Sequence, residues 1–200
     1  MIAIPNVSRE TEERLRLYLC LLEKWNPRIN LVAPDTLADA WTRHFSDSAQ
    51  LFGLADGANK WLDIGSGGGF PGLVCAVLAQ EAAPQTSFIL IESDGRKCAF
   101  LRSVIRELDL SASVLNERIE TAEPQDADVV SARALAPLPG LLQYAERHLN
   151  SRGVALFQKG RNWQSEVQIA RETCHFQCEA IQSRTEEGAA ILKITDIAHV

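Results

Sequence analysis

Lys60-Trp61-Leu62-Asp63-Ile64-Gly65-Ser66-Gly67-Gly68-Gly69-Phe70-Pro71-Gly72 is the stretch whose reading decides the fold. Lys60 to Ile64 spells a short strand, and it runs straight into five glycines within eight positions. An apolar helix from about Gly72 to Gln80 follows. Strand, glycine turn and helix together are the context in which such a loop can hold a nucleotide-like ligand. Glycine permits positive φ there and lets a ligand approach the backbone closely. A plain tight turn would not require so many.

Two spacings compete. Gly67, Gly69 and Gly72 fit G-x-G-x-x-G, a dinucleotide pattern; Gly65, Gly67 and Gly69 fit G-x-G-x-G, the S-adenosylmethionine pattern, with Asp63 just before it. Charge separates them. A pyrophosphate at this helix N-terminus would be anionic, and Asp63 beneath the loop would repel it. S-adenosylmethionine carries a sulfonium and an ammonium, which a carboxylate attracts. Glu92, closing the next strand, can accept from ribose hydroxyls of either cofactor and does not discriminate.

Outward from the loop, the spacing predicts strands at Ser87–Ile91, 112–115, Asp128–Ser131 and Gly153–Gln158. Helices are expected at Asp94–Leu108, Leu138–Leu149 and Asn162–Thr173, and a closing pair of strands at 175–182 and 189–196. Alternating strands and helices mean an α/β domain with a mainly parallel sheet, whose ligands bind outside the carboxyl ends of the strands. Before the loop, residues 8 to 25 read as an amphipathic helix capped by Ser8, with Leu15, Tyr18, Leu19, Leu22 and Trp25 on one face and Pro27 ending it. Residues 35 to 51 read as a second helix with Leu37, Trp41, Phe45 and Ser48 on one face. The expected division is a helical extension over residues 1–55 and a Rossmann-like domain over 56–200, forming one compact unit.

Composition bounds the function. Apolar residues make up 46% and charged residues 23%, which suits a globular chain and not a disordered one. No apolar stretch is long enough to cross a membrane, and the N-terminus turns charged too early for a signal peptide; the expected location is the cytoplasm. Five scattered cysteines read as reduced thiols, with Cys20, Cys75 and Cys98 in the core. Cys174 and Cys178 flank His175 with no second cluster to complete a metal site, so no metal is expected. A net charge of −6 argues against a general nucleic-acid coating protein but permits a basic patch. Glu10, Glu12 and Glu13 form one acidic stretch and Glu120, Glu123, Asp126 and Asp128 another, with Arg96, Lys97, Arg102 and Arg106 as a basic stretch between them. Solvated faces are the plain reading of each.

Several segments, in order, resemble one family. Trp61 through Gly72, with its Phe70-Pro71-Gly72 ending, resembles the glycine loop of the small-subunit ribosomal RNA guanine-N7 methyltransferases, also called the glucose-inhibited division protein B family. Lys24-Trp25-Asn26 with Asn30-Leu31 is similar to the family's first-helix signature, and Arg43-His44-Phe45-Ser46-Asp47-Ser48 to its R-H-x-x-D-S segment. Glu92-Ser93 through Lys97 with Phe100-Leu101, Ala132-Arg133-Ala134 through Pro137-Leu138, and Lys159-Gly160 continue the match over about residues 20 to 160. Gly68 stands where the family often has proline, and Glu92 where it often has aspartate.

The resemblance implies a class I S-adenosylmethionine-dependent methyltransferase that methylates N7 of guanine 527 in 16S ribosomal RNA. It also implies a monomer working on that RNA or on the small subunit, without a membrane. By the match, Asp63, Gly65, Gly67, Gly69, Phe70, Glu92, Ile119, Glu120 and Arg133 are the expected cofactor residues. Arg133, Lys159, Arg118 and His44 are the expected catalytic set, with Arg43 also a candidate for holding phosphate or the target base. Guanine N7 has a lone pair and no proton, so the site needs no general base. The segment after the fourth strand, Ser131-Ala132-Arg133-Ala134, accordingly has no carboxylate.

Plainer readings stand beside these. Arg118 could pair with Glu120 or Glu123 on the surface, His44 could be a core histidine, and Trp25 and Trp41 read as core; Trp163 could go either way. The acidic chain fits an RNA enzyme if Arg43, Arg96, Arg118, Arg133, Lys159 and Arg161 converge on the strand-end edge. Rivals are a methyltransferase with another substrate, a nicotinamide oxidoreductase using Gly67, Gly69 and Gly72, and a non-catalytic RNA-binding module.

Overall fold

The computed structural model describes residue 4, residues 7–55 and residues 57–199. In chain order the elements are α1 (Arg9–Ile29), a 3-10 turn (Pro34–Asp39), a π-helical turn (Trp41–Ser46), α2 (Asp47–Phe52), β1 (Lys60–Ile64), α3 (Gly72–Ala82), β2 (Ser87–Ile91), α4 (Gly95–Leu108), β3 (Ala112–Leu115), β4 (Ala127–Arg133), α5 (Leu138–His148), β5 (Leu149–Lys159), α6 (Trp163–Ala170), β6 (Cys174–Gln182) and β7 (Ala190–His199). The seven strands lie in the order β3-β2-β1-β4-β5-β7-β6. β1 to β5 are parallel. The expected closing pair is present, and β7 inserts antiparallel between β5 and β6. The strand order reverses between β1 and β4, so the crevice at their carboxyl ends is the natural ligand site.

The central strands are buried on both faces because helices cover both. One apolar cluster joins Leu15, Tyr18 and Leu22 of α1 to Trp61, Val74 and Phe88. Another, on the opposite face, joins Leu62, Val130 and Phe157 to Leu141 and Leu142 of α5. The leading helix therefore shares its core with the sheet.

Three expectations fail in instructive ways. Pro27 does not end α1: the helix runs to Ile29 and closes on Asn30, which is left-handed (φ 47°) and returns its N–H to Asn26. Buried Asn26 also accepts the Val32 N–H at 2.9 Å, fixing the exit beyond the proline. The single helix expected over 35–51 is instead a 3-10 turn, a π turn and the short α2. Within the π turn Trp41, His44, Phe45 and Ser46 are all buried, and a widened turn faces more consecutive side chains inward than an α-helix does. Cys20 is exposed, not core, because the buried stripe of α1 runs through Thr11, Leu15, Tyr18, Leu22 and Asn26 and position 20 falls on the far side. Cys75 and Cys98 are buried as expected.

Smaller shifts concern ends. β4 continues to Arg133, β5 begins at Leu149 directly out of α5, and α6 stops at Ala170. No described helix is long and apolar enough to cross a membrane. Cys174 is buried and Cys178 half-buried on β6, with His175 exposed between them.

Candidate active site

The glycine loop is held from below. Gly65, Gly67 and Gly69 all have positive φ (62°, 54° and 87°). The Ser66 N–H donates to Ile91 at 3.2 Å, and the Gly69 N–H to Ser66 at 2.7 Å. Buried Tyr18 donates its hydroxyl to the Gly68 carbonyl and stacks on Phe70 with centroids 5.4 Å apart. A Cβ at Gly67 would meet nothing but the Gly65 carbonyl oxygen, at 3.8 Å, so this side of the loop is open to a ligand.

Glu92 lies beside it. Its Oε2 accepts the Gly67 N–H at 2.9 Å and its Oε1 the Asp94 N–H at 2.8 Å. Each oxygen keeps a second lone pair, and the side chain lines a cavity of about 430 Å³. Gly65, Gly67, Ile91, Ser93, Ile119 and Glu120 line the same space. The 117–122 segment that closes it is tied to α5: Tyr144 donates to Glu120 at 2.9 Å, Arg147 to the Ala122 carbonyl at 2.8 Å, and the His148 ring meets the Ile119 carbonyl at 3.2 Å.

A larger cavity, about 540 Å³, opens on the other side of the loop. Leu31 to Ala33, Thr36, Arg43, His44 and Asp47 wall it from the N-terminal helical segment, and Phe70, Arg133, Gln158 and Lys159 from the sheet. Gly65, Gly67, Lys97 and Ala134 border both spaces. No carboxylate and no imidazole is among those four.

Asp63 is not on either wall. It is 1% exposed under the loop, its Oδ1 accepts from Ser131 at 2.6 Å, and its Oδ2 has no hydrogen-bond partner. Burial pushes its carboxyl up to about 6, against the Ser131 hydroxyl, which holds it down. Its methylene lies where a Cβ on Gly72 would be, 2.6 Å away, so Asp63 and Gly72 seat the loop on the strand. Gly69 likewise faces inward, toward Tyr18 and Leu73.

Arg133 has more partners than its alanine neighbours suggest. Its guanidinium sits 4.9 Å over the Phe70 ring, donates to the Arg43 carbonyl at 3.0 Å and pairs with Asp47 at 3.6 Å. Asp47 is itself fixed by Gln50, Thr185 and Gln158. His44 packs on Phe70 at 5.2 Å and meets the Thr36 hydroxyl at 2.8 Å. Thr36 spends its proton on the Ala33 carbonyl, so His44 Nε2 must be the donor and Nδ1 a bare acceptor. Burial, with Arg133 and Arg43 nearby, lowers the imidazole to about 4; His44 is neutral at pH 7.

The expected basic edge forms in part. Arg43, Lys97, Arg133 and Lys159 border the larger cavity and Arg118 the smaller. Arg118 is exposed and 3.6 Å from Glu120. Arg96 pairs with Asp94, and Arg161 donates to the Glu187 carbonyl; neither borders either of these two cavities. Trp41 is core, as expected, and Trp163 packs partly against the α5 side of the sheet. No site role was expected of Asp47, Gln158 or Glu166, and Tyr18 was expected only on the apolar face of the first helix. Asp47 could have been found within the quoted R-H-x-x-D-S segment; Glu166 carried no signal.

Comparison with known proteins agrees with this architecture. A family model described as "GidB: rRNA small subunit methyltransferase G" matches residues 11–192. The chain belongs to that family. The family's name states its chemistry, methyl transfer to the RNA of the small ribosomal subunit. The Ribosomal RNA small subunit methyltransferase G of Ruegeria pomeroyi is 54% identical over 98% of this chain and 96% of its own length. Among solved structures, cofactor-bound Rv0187 from MTB is similar with a TM-score of 0.65 at 19% identity, covering 91% of this chain and 88% of that one. A SAM-dependent methyltransferase from Aquifex aeolicus is similar with a TM-score of 0.58 at 12% identity, covering 95% and 98%. These structural likenesses identify the fold as that of class I S-adenosylmethionine-dependent methyltransferases. The resemblance read over residues 20 to 160 thus holds over most of the chain.

Proposed function

We propose that this chain transfers the methyl group of S-adenosylmethionine to N7 of a guanine in 16S ribosomal RNA, the base conventionally numbered 527. One observation carries the reading: the two cavities meet at Gly65, Gly67, Lys97 and Ala134, a border with neither carboxylate nor imidazole. An in-plane lone pair with no proton to lose is the acceptor that such a border suits.

The residues fit the cofactor. Glu92 has two unused lone pairs for ribose hydroxyls, Ile119 and Glu120 border the space an adenine would take, and the open face of Gly67 allows close backbone approach. Buried Asp63 contributes negative charge beneath the loop rather than a contact. When bound, S-adenosylmethionine supplies an electrophilic methyl on a cationic sulfur. Everything else is placement. Phe70, buried between Tyr18 and the Arg133 guanidinium, holds that guanidinium in place, Arg133 is poised to donate to guanine O6, and Arg43 and Lys97 offer charge to phosphates. Alignment of two bound reactants can supply several kcal/mol of the barrier.

The cation balance favours a folded RNA or assembled subunit over loose strands, since shape then supplies selectivity. The helical segment over residues 1–55 and the remainder act as one unit in this reading, because the first completes the wall of the larger cavity. The enzyme works as a monomer in the cytoplasm. Incubating the protein with labelled cofactor and small subunits, then reducing and cleaving with aniline, tests the reaction: strand scission at a single guanosine is expected. Label in an exocyclic amine, a ribose or a protein would refute it.

A further inference from the structure

Lys159 was expected from sequence to hold RNA phosphate or the target base. Its surroundings say otherwise. The side chain is only 10% exposed, and its Nζ lies 2.6 Å from Glu166 Oε2 and donates to the Ala136 carbonyl at 3.0 Å. The same Glu166 oxygen accepts the Leu138 N–H at 2.8 Å. Leu138 opens α5, whose own cap, Pro137, provides no side-chain acceptor. Glu166 therefore caps α5 from another helix, and Lys159 neutralises the carboxylate that does so.

What these bonds hold is the segment 134–138. Ala134 is left-handed at φ 52°, a conformation that costs a residue with a Cβ about 1 kcal/mol and persists only where its surroundings impose it. Ala134 borders both cavities. Leu135 packs over Gly65 so closely that a Cβ there would overlap it. The segment is thus the partition between the cofactor side and the target side, and it is strained.

We propose that Lys159 and Glu166 are positioning residues: together they clamp the 134–138 partition, and Lys159 does not bind RNA. The inference rests on the proposed RNA methylation only for its activity readout. The test compares Lys159→Met and Glu166→Gln, which keep side-chain size, against the unaltered protein. It reads hydrogen exchange over 134–141, methyl transfer to small subunits, and the salt dependence of RNA binding.

Under the clamp, exchange over 134–141 accelerates at least tenfold in both variants while β1 and β2 keep their protection. Transfer falls roughly tenfold or more in both, as expected for lost charged hydrogen bonds. The slope of log affinity against log salt stays unchanged. A phosphate contact at Lys159 would lower that slope by about 0.7 in Lys159→Met, and removing the Glu166 charge would then tighten RNA binding. Either result, or unaltered exchange in the two variants, overturns the clamp. Should Lys159→Met fail to fold, Glu166→Gln decides alone, since the two accounts give it opposite signs. Absence of any methyl transfer by the unaltered protein would instead count against the proposed reaction, leaving the exchange result to judge the clamp.

Discussion

The two cavities share Gly65 and Gly67, yet they come from different parts of the chain and obey different rules. The smaller is made by strand ends and the loops directly after them, so its shape follows from the α/β topology. The larger borrows much of its wall from the 3-10 and π turns ahead of the sheet. Its charges are also paired within the protein: Arg133 with Asp47, Lys159 with Glu166. One side of the loop is thus a general feature of the fold, while the other draws on the helical segment ahead of the sheet, where the proposed reaction would locate substrate choice.

The largest effect should come from a change that unseats the loop between the two cavities. Gly69→Ala forces a Cβ onto a backbone at φ 87° and within 2.7 Å of Leu73. Left-handed strain and overpacking together cost about 2–4 kcal/mol. Thermal unfolding should therefore fall by about 5–15 °C, with cofactor binding and methyl transfer both lost. Retained binding would mean that the loop is less rigid than Tyr18 and Leu73 imply.

Arg133→Ala separates the two sides. It leaves the Glu92 cavity untouched, so S-adenosylhomocysteine should bind within about threefold of normal by calorimetry. Transfer should fall about 10²- to 10³-fold if the guanidinium stabilises the reacting base. Glu92→Ala is the reverse experiment. It removes the ribose acceptor and strands the Gly67 and Asp94 N–H groups, so homocysteine-analogue affinity should drop roughly 10- to 100-fold. Transfer at saturating cofactor should suffer less.

The smallest effect sharpens the comparison by pH. Asp63 is raised to about 6 by burial. Its ionisation therefore destabilises the fold, and stability falls as pH rises from about 4 to about 6. His44 is lowered to about 4. It contributes stability present above 6.5 and lost as pH falls toward 4. The two trends oppose each other over one window. His148, lowered by burial as well, adds a rising trend in the same window. Asp63→Asn should therefore rise with pH more steeply than the whole protein and His44→Phe less steeply, and parallel curves in both variants would contradict these assignments.

What was legible in the sequence follows the same division. Lys60–Ile64, Ser87–Ile91 and the glycine run announce β1, β2 and the loop, because a short apolar strand followed by obligatory glycine has few other solutions. Glu92 could be placed because a strand end fixes it. Asp63 could be placed below the loop as a source of charge, but only packing shows it buried against Gly72 and lining neither cavity. Residues 35–51 misled because helical periodicity cannot distinguish an α-helix from a turn widened to bury Trp41, His44 and Phe45 together. Asp47 and Glu166 escaped notice as partners because pairing between distant segments leaves no local pattern.

Cofactor and target base, as proposed, occupy opposite sides of one glycine loop, and this arrangement stands or falls on two variants. It is tested most directly by measuring S-adenosylhomocysteine affinity and guanine-N7 transfer to small subunits side by side for Arg133→Ala and Glu92→Ala. The prediction is a crossed pattern: binding preserved and transfer lost in the first, binding weakened and transfer at saturating cofactor largely kept in the second. If both variants lose affinity and transfer in proportion, the two cavities are one site and the claim is wrong.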